Sequence, residues 1–231
     1  MKKALFPALL LAASALLTAC SATAPALGSA GASCDTTTER NFPTPLLYSV
    51  RYSGLKDTEG NIRCLLESGA DPNAARQKDG WTPLMQAAFS GYTGTARLLL
   101  AHGAHVDATN IRGVTALQLA AGQGHTDIVR LLLDKGANPN IVGAGGQTAL
   151  RAAAFFCHAD ATRLLLGKGA NPNVTDVNGD TALSLAQKRE LAATKEAATK
   201  RERGASTESL TAHANDCKAV ITMLRAAGAK K

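Results

Sequence analysis

The stretch "TALQLAAGQGHTDIVRLLLDKGANPN", Thr115–Asn140, decides how this chain folds, because its parts return elsewhere in phase. "TPLMQAA" begins at Thr82, "TALRAAA" at Thr148 and "TALSLAQ" at Thr181, so four copies start 33 residues apart, and an outlying "TPLLYSV" begins at Thr44. A second marker follows 21 residues later in the three central copies: "GAHVD" from Gly103 and "GANPN" from Gly136 and Gly169. "GADPN" from Gly69 and "GAK" from Gly228 are its outer forms, and "RLLLAHG", "RLLLDKG" and "RLLLGKG" precede the central markers. A repeat of this length is one supersecondary unit. Its threonine can cap a short helix, and proline or alanine suits the first turn. Leu46, Leu84, Leu117, Leu150 and Leu183 recur on one face, followed by small alanines that permit close stacking. The leucine triplet lies on a second helix, and the glycine after it suits a helix end of positive φ. One such pair cannot bury its own apolar face, so neighbouring copies must bury each other.

Period and motifs together resemble the ankyrin repeat, over roughly residues 41–228 with one interruption. The resemblance implies an all-α solenoid of about five helix-turn-helix units with hairpin loops. The family's histidine after Thr-Pro-Leu is replaced by Leu47, Met85, Gln118, Arg151 and Ser184. Its hydrogen bond to the threonine is then lost, which predicts units less rigid than an ideal repeat. The first unit carries about four extra residues between its helices, and the last about 26, from roughly Lys188 to Ala214. That insertion is rich in helix formers, with Glu196 and Lys200 at i,i+4. Gly204 interrupts it, and Ser206 or Thr207 can cap a second helix. The expectation is an antiparallel helical hairpin over about 188–214, within an ankyrin-repeat domain of residues 41–231; a disordered basic loop is the competing reading.

Before the repeats stands "MKKALFPALLLAASALLTACS". Two lysines, an apolar run from Ala4 to Leu17 and a small-residue site make a secretory signal. The run is shorter than the roughly 20 residues a spanning helix needs. "LTAC" resembles the bacterial lipoprotein signal, which implies removal of residues 1–19, acylation of Cys20 and membrane anchoring. Ser21 in that family favours the outer membrane, facing the periplasm. Residues 20–40, small, polar and aperiodic, form the lipidated N-terminus and a flexible tether. Without Lys2 and Lys3 the net charge falls from +7 to +5, and only 4% of residues are aromatic. Neither fits a nucleic-acid partner.

Catalysis has no foothold. His125 and His158 fall where ankyrin repeats carry a histidine between helices, a structural place. His102 and His105 have no carboxylate partner and make a poor zinc site. The glycines of "VGAGGQT" from Val142 neither follow a strand nor open a long helix, as a phosphate loop would. No enzyme, cofactor or metal is expected, and the protein is read as a monomer.

Binding remains. The resemblance implies a concave face of hairpin tips and first helices, here Arg76, Lys78, Trp81, Asn110, Ile111, Arg112, Val114, Gln147, Asp176 and Asn178, with Val142, Ala144 and Val177 beside them. Trp and Arg are enriched at interface hot spots, which favours Trp81, Arg76 and Arg112 as contacts; packing of Trp81 on Ile111 or Val114 is the alternative. Phe89, Phe155 and Phe156 end first helices near the same face. Arg63, Arg97, Arg130 and Arg163 form a column before the leucine triplets, read as a solvated face or as a site for acidic partners or lipid headgroups. Two roles follow: a lipid-anchored scaffold binding another protein, or, as bacterial repeat lipoproteins resemble, an immunity protein neutralising a periplasm-delivered toxin such as a lipase.

The cysteines complete the reading. In "FFCHAD", Phe155–Asp160, Cys157 occupies the place of a glycine. With Cys20 acylated, Cys34, Cys64, Cys157 and Cys217 remain, and four cysteines allow three pairings. By repeat phase Cys217 takes the position of His158, one unit on, and turns of adjacent ankyrin units are neighbours. This selects Cys157–Cys217 and leaves Cys34–Cys64; four reduced thiols filling small spaces are the alternative.

Overall fold

The computed structural model describes Cys34 and residues 44–51, 58–203 and 206–230. The signal segment, Cys20 and nearly all of the tether lie outside the described residues. Ten α-helices follow: α1 Pro45–Arg51, α2 Thr58–Glu67, α3 Pro83–Ser90, α4 Thr93–Ala101, α5 Ala116–Gln123, α6 Thr126–Asp134, α7 Ala149–Phe155, α8 Ala159–Gly167, α9 Ala182–Glu202 and α10 Glu208–Ala226. The odd-numbered helices stack on one another as an inner layer, the even-numbered ones as an outer layer, and each pairs with its neighbour in sequence. This is a solenoid of five helix pairs, all helical among the described residues.

Each inner helix starts as its threonine dictates. Thr44, Thr82, Thr115, Thr148 and Thr181 accept, through Oγ1, from the backbone N–H three residues on, each at 3.2 Å. That bond satisfies an amide with no partner in the first turn. The leucine two places after each threonine is buried, as are the following alanines, whose small size brings inner helices close enough to exclude water. Outer helices end on a left-handed residue. After α6, Gly136 has φ 85°, and the next amide, Ala137 N, closes on Leu132 O at 3.0 Å, the bonding of a Schellman cap.

The last residue of each "GAxxN" marker ties one unit to the next. Asn73 accepts from His105 N at 2.7 Å and donates to Gly103 O at 3.1 Å. Asp107 accepts from Asn138 N at 3.0 Å. Asn140 accepts from Asn171 N at 2.7 Å and donates to Gly169 O at 3.0 Å, and Asn173 accepts from Lys230 N at 2.8 Å. A short amide, or at Asp107 a carboxylate, thus acts as a rung along the outer-helix ends.

At three units the residue in the histidine's place makes hydrogen bonds of its own. Gln118 accepts from Thr115 N at 3.3 Å, completing a capping box, and donates to Ile141 O and Gln147 O of the next loop. Arg151 donates to Gly146 O at 2.6 Å and to Asp176 Oδ2 at 2.7 Å. Ser184 donates toward Asp180 Oδ1 at 2.9 Å. Each replacement therefore makes its own link within or between units.

The insertion is helical. It lengthens α9 and α10 continuously, with no break near 188, and the two pack antiparallel with Ala193 and Ala214 buried. Thr207 stands at the N-cap of α10 but makes no side-chain cap bond. Among the described residues no helix is long and apolar enough to cross a membrane.

Candidate functional site

The loops between outer and inner helices form successive hairpins, and a groove runs across them. In the first, Arg76 N donates to Trp81 O at 2.9 Å, and the Arg76 guanidinium binds Asp79, with Nε on Oδ1 at 2.8 Å. Bonding to Arg76, and to Trp81 N–H, holds the Asp79 carboxyl below the usual carboxylate range. In the second, Asn110 is buried, and its Oδ1 accepts from Arg112 N at 2.9 Å and Val114 N at 3.0 Å. In the fourth, Asp176 Oδ1 does the same for Asn178 N and Asp180 N, both at 2.8 Å. The hairpins are chained by Ile111 N on Asp79 O at 3.1 Å and Ala144 N on Arg112 O at 2.8 Å.

The glycines of "VGAGGQT" serve this stacking. A Cβ on Gly143 would stand 2.9 Å from Gly113 O, and one on Gly146 would stand 2.5 Å from Thr175 O. Backbone approaches backbone there, which explains why the loop is rich in glycine.

Trp81, Asn110, Arg112, Val114 and Gln147 line one groove of about 370 Å³, together with Gln118, Leu119 and Gln123 of α5, Ala152 of α7, and Phe156 just beyond it. Trp81 is half-buried and meets Phe89 edge to face, ring centroids 6.0 Å apart, with the Arg76 guanidinium 5.8 Å from its ring. Its indole Nε1–H is buried without a hydrogen-bond acceptor. Phe89, Phe155 and Phe156 are each more than a third exposed. Phe155 packs edge-on against Phe156, and Arg189 of α9 lies 5.0 Å from the Phe155 ring. The exposed Arg112 is the charged group of the groove lining.

The other expected contact residues are placed differently. Lys78, Ile111 and Asn178 stand exposed outside the groove lining, Ile111 at 73%. Asp176 is committed to its hairpin and to Arg151. Sequence reasoning missed Gln118, Leu119, Gln123 and Ala152; their signal was the inner-helix face opposite the buried leucines. The column Arg63, Arg97, Arg130 and Arg163 is exposed on the outer helices, with Arg163 paired to Asp160 at 2.5 Å.

At the opposite edge, His125 Nε2 donates to Phe89 O at 3.2 Å and its ring covers Gly91; His158 repeats this on Gly122 O at 3.1 Å and Gly124. One unit further the pattern becomes covalent. Cys157 stands in the place of Gly91 and Gly124, Cys217 in that of the histidines, and the two are bonded with Cα atoms 4.6 Å apart. Cys157 has φ 59°, the one left-handed non-glycine among the described residues. Cys34 is bonded to Cys64, Cα atoms 5.7 Å apart.

Stacked helix pairs joined by hairpins, with a groove across the hairpin side, define a helical-repeat binding scaffold. Ankyrin repeats, in three copies, match residues 9–110 and 103–176, and the chain belongs to the ankyrin-repeat family. Similar proteins include mouse ankyrin repeat and SOCS box protein 16, 51% identical over 57 residues, 25% of this chain and 12% of that protein. Human protein phosphatase 1 regulatory subunit 27 is 46% identical over 57 residues, 23% of this chain and 36% of its own length. Mouse 2-5A-dependent ribonuclease is 43% identical over 54 residues, 23% of this chain and 7% of that protein. The aligned segments thus span between 7 and 36% of these relatives. Fold and family are those of protein-interaction modules.

Proposed function

We propose that this protein is a non-catalytic, lipid-anchored binding protein of the bacterial cell envelope that holds a protein partner in the hairpin-side groove. The observation that carries the reading is the groove itself. Trp81 presents a large, half-exposed ring, flanked by Phe156, Leu119 and the exposed guanidinium of Arg112. An aromatic anchor beside a cation is the composition of an interface hot spot. "LTAC" at Cys20, followed by Ser21, supports an anchor on the outer membrane, facing the periplasm. Neutralising a delivered toxin and assisting a resident protein both use such a groove; the first requires that the partner be a toxin and that binding abolish its activity.

The test is cross-linking capture from bacterial envelopes, comparing the native chain with Trp81→Ala and Arg112→Glu. Trp81→Ala should weaken binding of the captured partner by more than about 1 kcal/mol at unchanged helical content. Equal affinity in both variants would remove the site from this groove. In the same cells Cys20→Ser should leave the membrane fraction, and its persistence there would remove the anchor.

A further inference from the structure

His213 stands one helical turn before Cys217 on α10, so both side chains share a face. His213 Nε2 lies 3.8 Å from Cys217 Sγ, and the ligand atoms of Cys157, His213 and Cys217 all fall within 4.8 Å of one another. Both cysteines are buried, Cys217 completely, while His213 is half-exposed. We propose that, once the Cys157–Cys217 disulfide is reduced, Cys157, His213 and Cys217 form a three-ligand site for a thiophilic divalent cation, zinc above all.

The geometry is close to what such an ion needs. Tetrahedral zinc, with sulfur at about 2.3 Å and nitrogen at about 2.0–2.1 Å, sets its ligands roughly 3.6–3.8 Å apart. The His213–Cys217 distance is already close to that value, and the main change needed is separation of the two sulfurs. Cys157 sits at a turn, between α7 and α8, where a χ1 rotation can move its sulfur without disturbing a helix. The half-exposed side of His213 leaves a fourth position to water. Two thiolates cancel the charge of the ion, which a buried pair of thiolates could not sustain alone. His158 is not among the groups gathered there; its Nε2 donates to Gly122 O.

The chemistry balances with a dithiol reductant. The disulfide takes two electrons and two protons from the dithiol, which becomes a disulfide, and two thiols result. The cation then displaces both protons, and His213 binds as the neutral imidazole. Disulfide and metal site exclude each other, since a bonded sulfur is no thiolate. Either state fastens α10 to the α7–α8 turn, so the fastening survives a change of redox conditions when metal is present. The inference does not depend on the groove or on any partner.

The experiment uses the full chain carrying Cys34→Ser and Cys64→Ser, so that one disulfide remains. After reduction with a phosphine, Co²⁺ is titrated as the probe and Zn²⁺ added in competition, with helical content followed by circular dichroism. The expected result is one equivalent of Co²⁺ with the sulfur-to-cobalt charge-transfer absorption of two thiolates, displaced by Zn²⁺ and absent from the oxidised protein. His213→Ala should weaken Co²⁺ binding about tenfold or more. Absence of the charge-transfer band in the reduced chain, whether it stays helical or unfolds, overturns the proposal. So does an unchanged affinity in His213→Ala.

Discussion

At Cys157 the backbone asks for glycine and receives cysteine. A side chain at φ 59° costs roughly 1–2 kcal/mol, which glycine avoids. In the reduced protein, where the bridge is gone, Cys157→Gly should therefore be more stable than Cys157→Ala by about 1 kcal/mol, read as a higher urea midpoint. In the oxidised native protein the bridge offsets that cost. Its neighbour His158 carries a pH dependence. Burial lowers its pKa below the ordinary value, while the unfolded chain keeps the ordinary value near 6.5. Between those two values the unfolded chain binds more protons, so stability rises with pH. The contribution is complete above about 6.5 and lost as pH falls through the folded value. The urea midpoint should drop between about pH 7.5 and about pH 5.5 in the native protein, and by less in His158→Gln. An equal drop in both would assign the dependence to other groups.

Between elements, the stack is sewn along three edges: the hairpin chain, the asparagine rungs, and the histidine-over-glycine contacts that end in a disulfide. Asn140→Ala removes two bonds between the third and fourth pairs, Gly169 O and Asn171 N losing their partner. The expected loss is about 1–2 kcal/mol, measured by urea unfolding at unchanged helical content. The period of 33 residues, the capping threonines and the buried leucines were legible in the sequence because each copy repeats the same local physics. So was the Cys157–Cys217 pair, since repeat phase converts directly into which turns touch, and Cys34–Cys64 followed as the remainder. The rungs and the replacements for the missing histidine were not. Gln118, Arg151 and Ser184 differ in length and chemistry, and which loop carbonyl or carboxylate each reaches depends on the placement of the next hairpin. Half of the expected contact residues, Trp81, Asn110, Arg112, Val114 and Gln147, do line the groove. Asn110 does so while holding its own turn, a commitment that spacing alone does not reveal.

Taken whole, the molecule is a row of units each held by its neighbours, and such a row is weakest at its ends. Both ends are covalently fastened: Cys34–Cys64 closes 30 residues at the first unit and Cys157–Cys217 closes 60 at the last. By chain entropy each linkage contributes about 4 kcal/mol. The second one encloses α8, the fourth hairpin, all of α9 and the start of α10. Within that loop lie Lys200, Arg201 and Arg203, all exposed where α9 ends. A trypsin-like protease cutting there would sever the polypeptide yet release nothing: the two fragments would travel as one species without a reductant and part only when a thiol is added. Fragments that separate without reductant would show the bridge absent. A chain built this way can be wounded at an exposed helix end and still remain one particle.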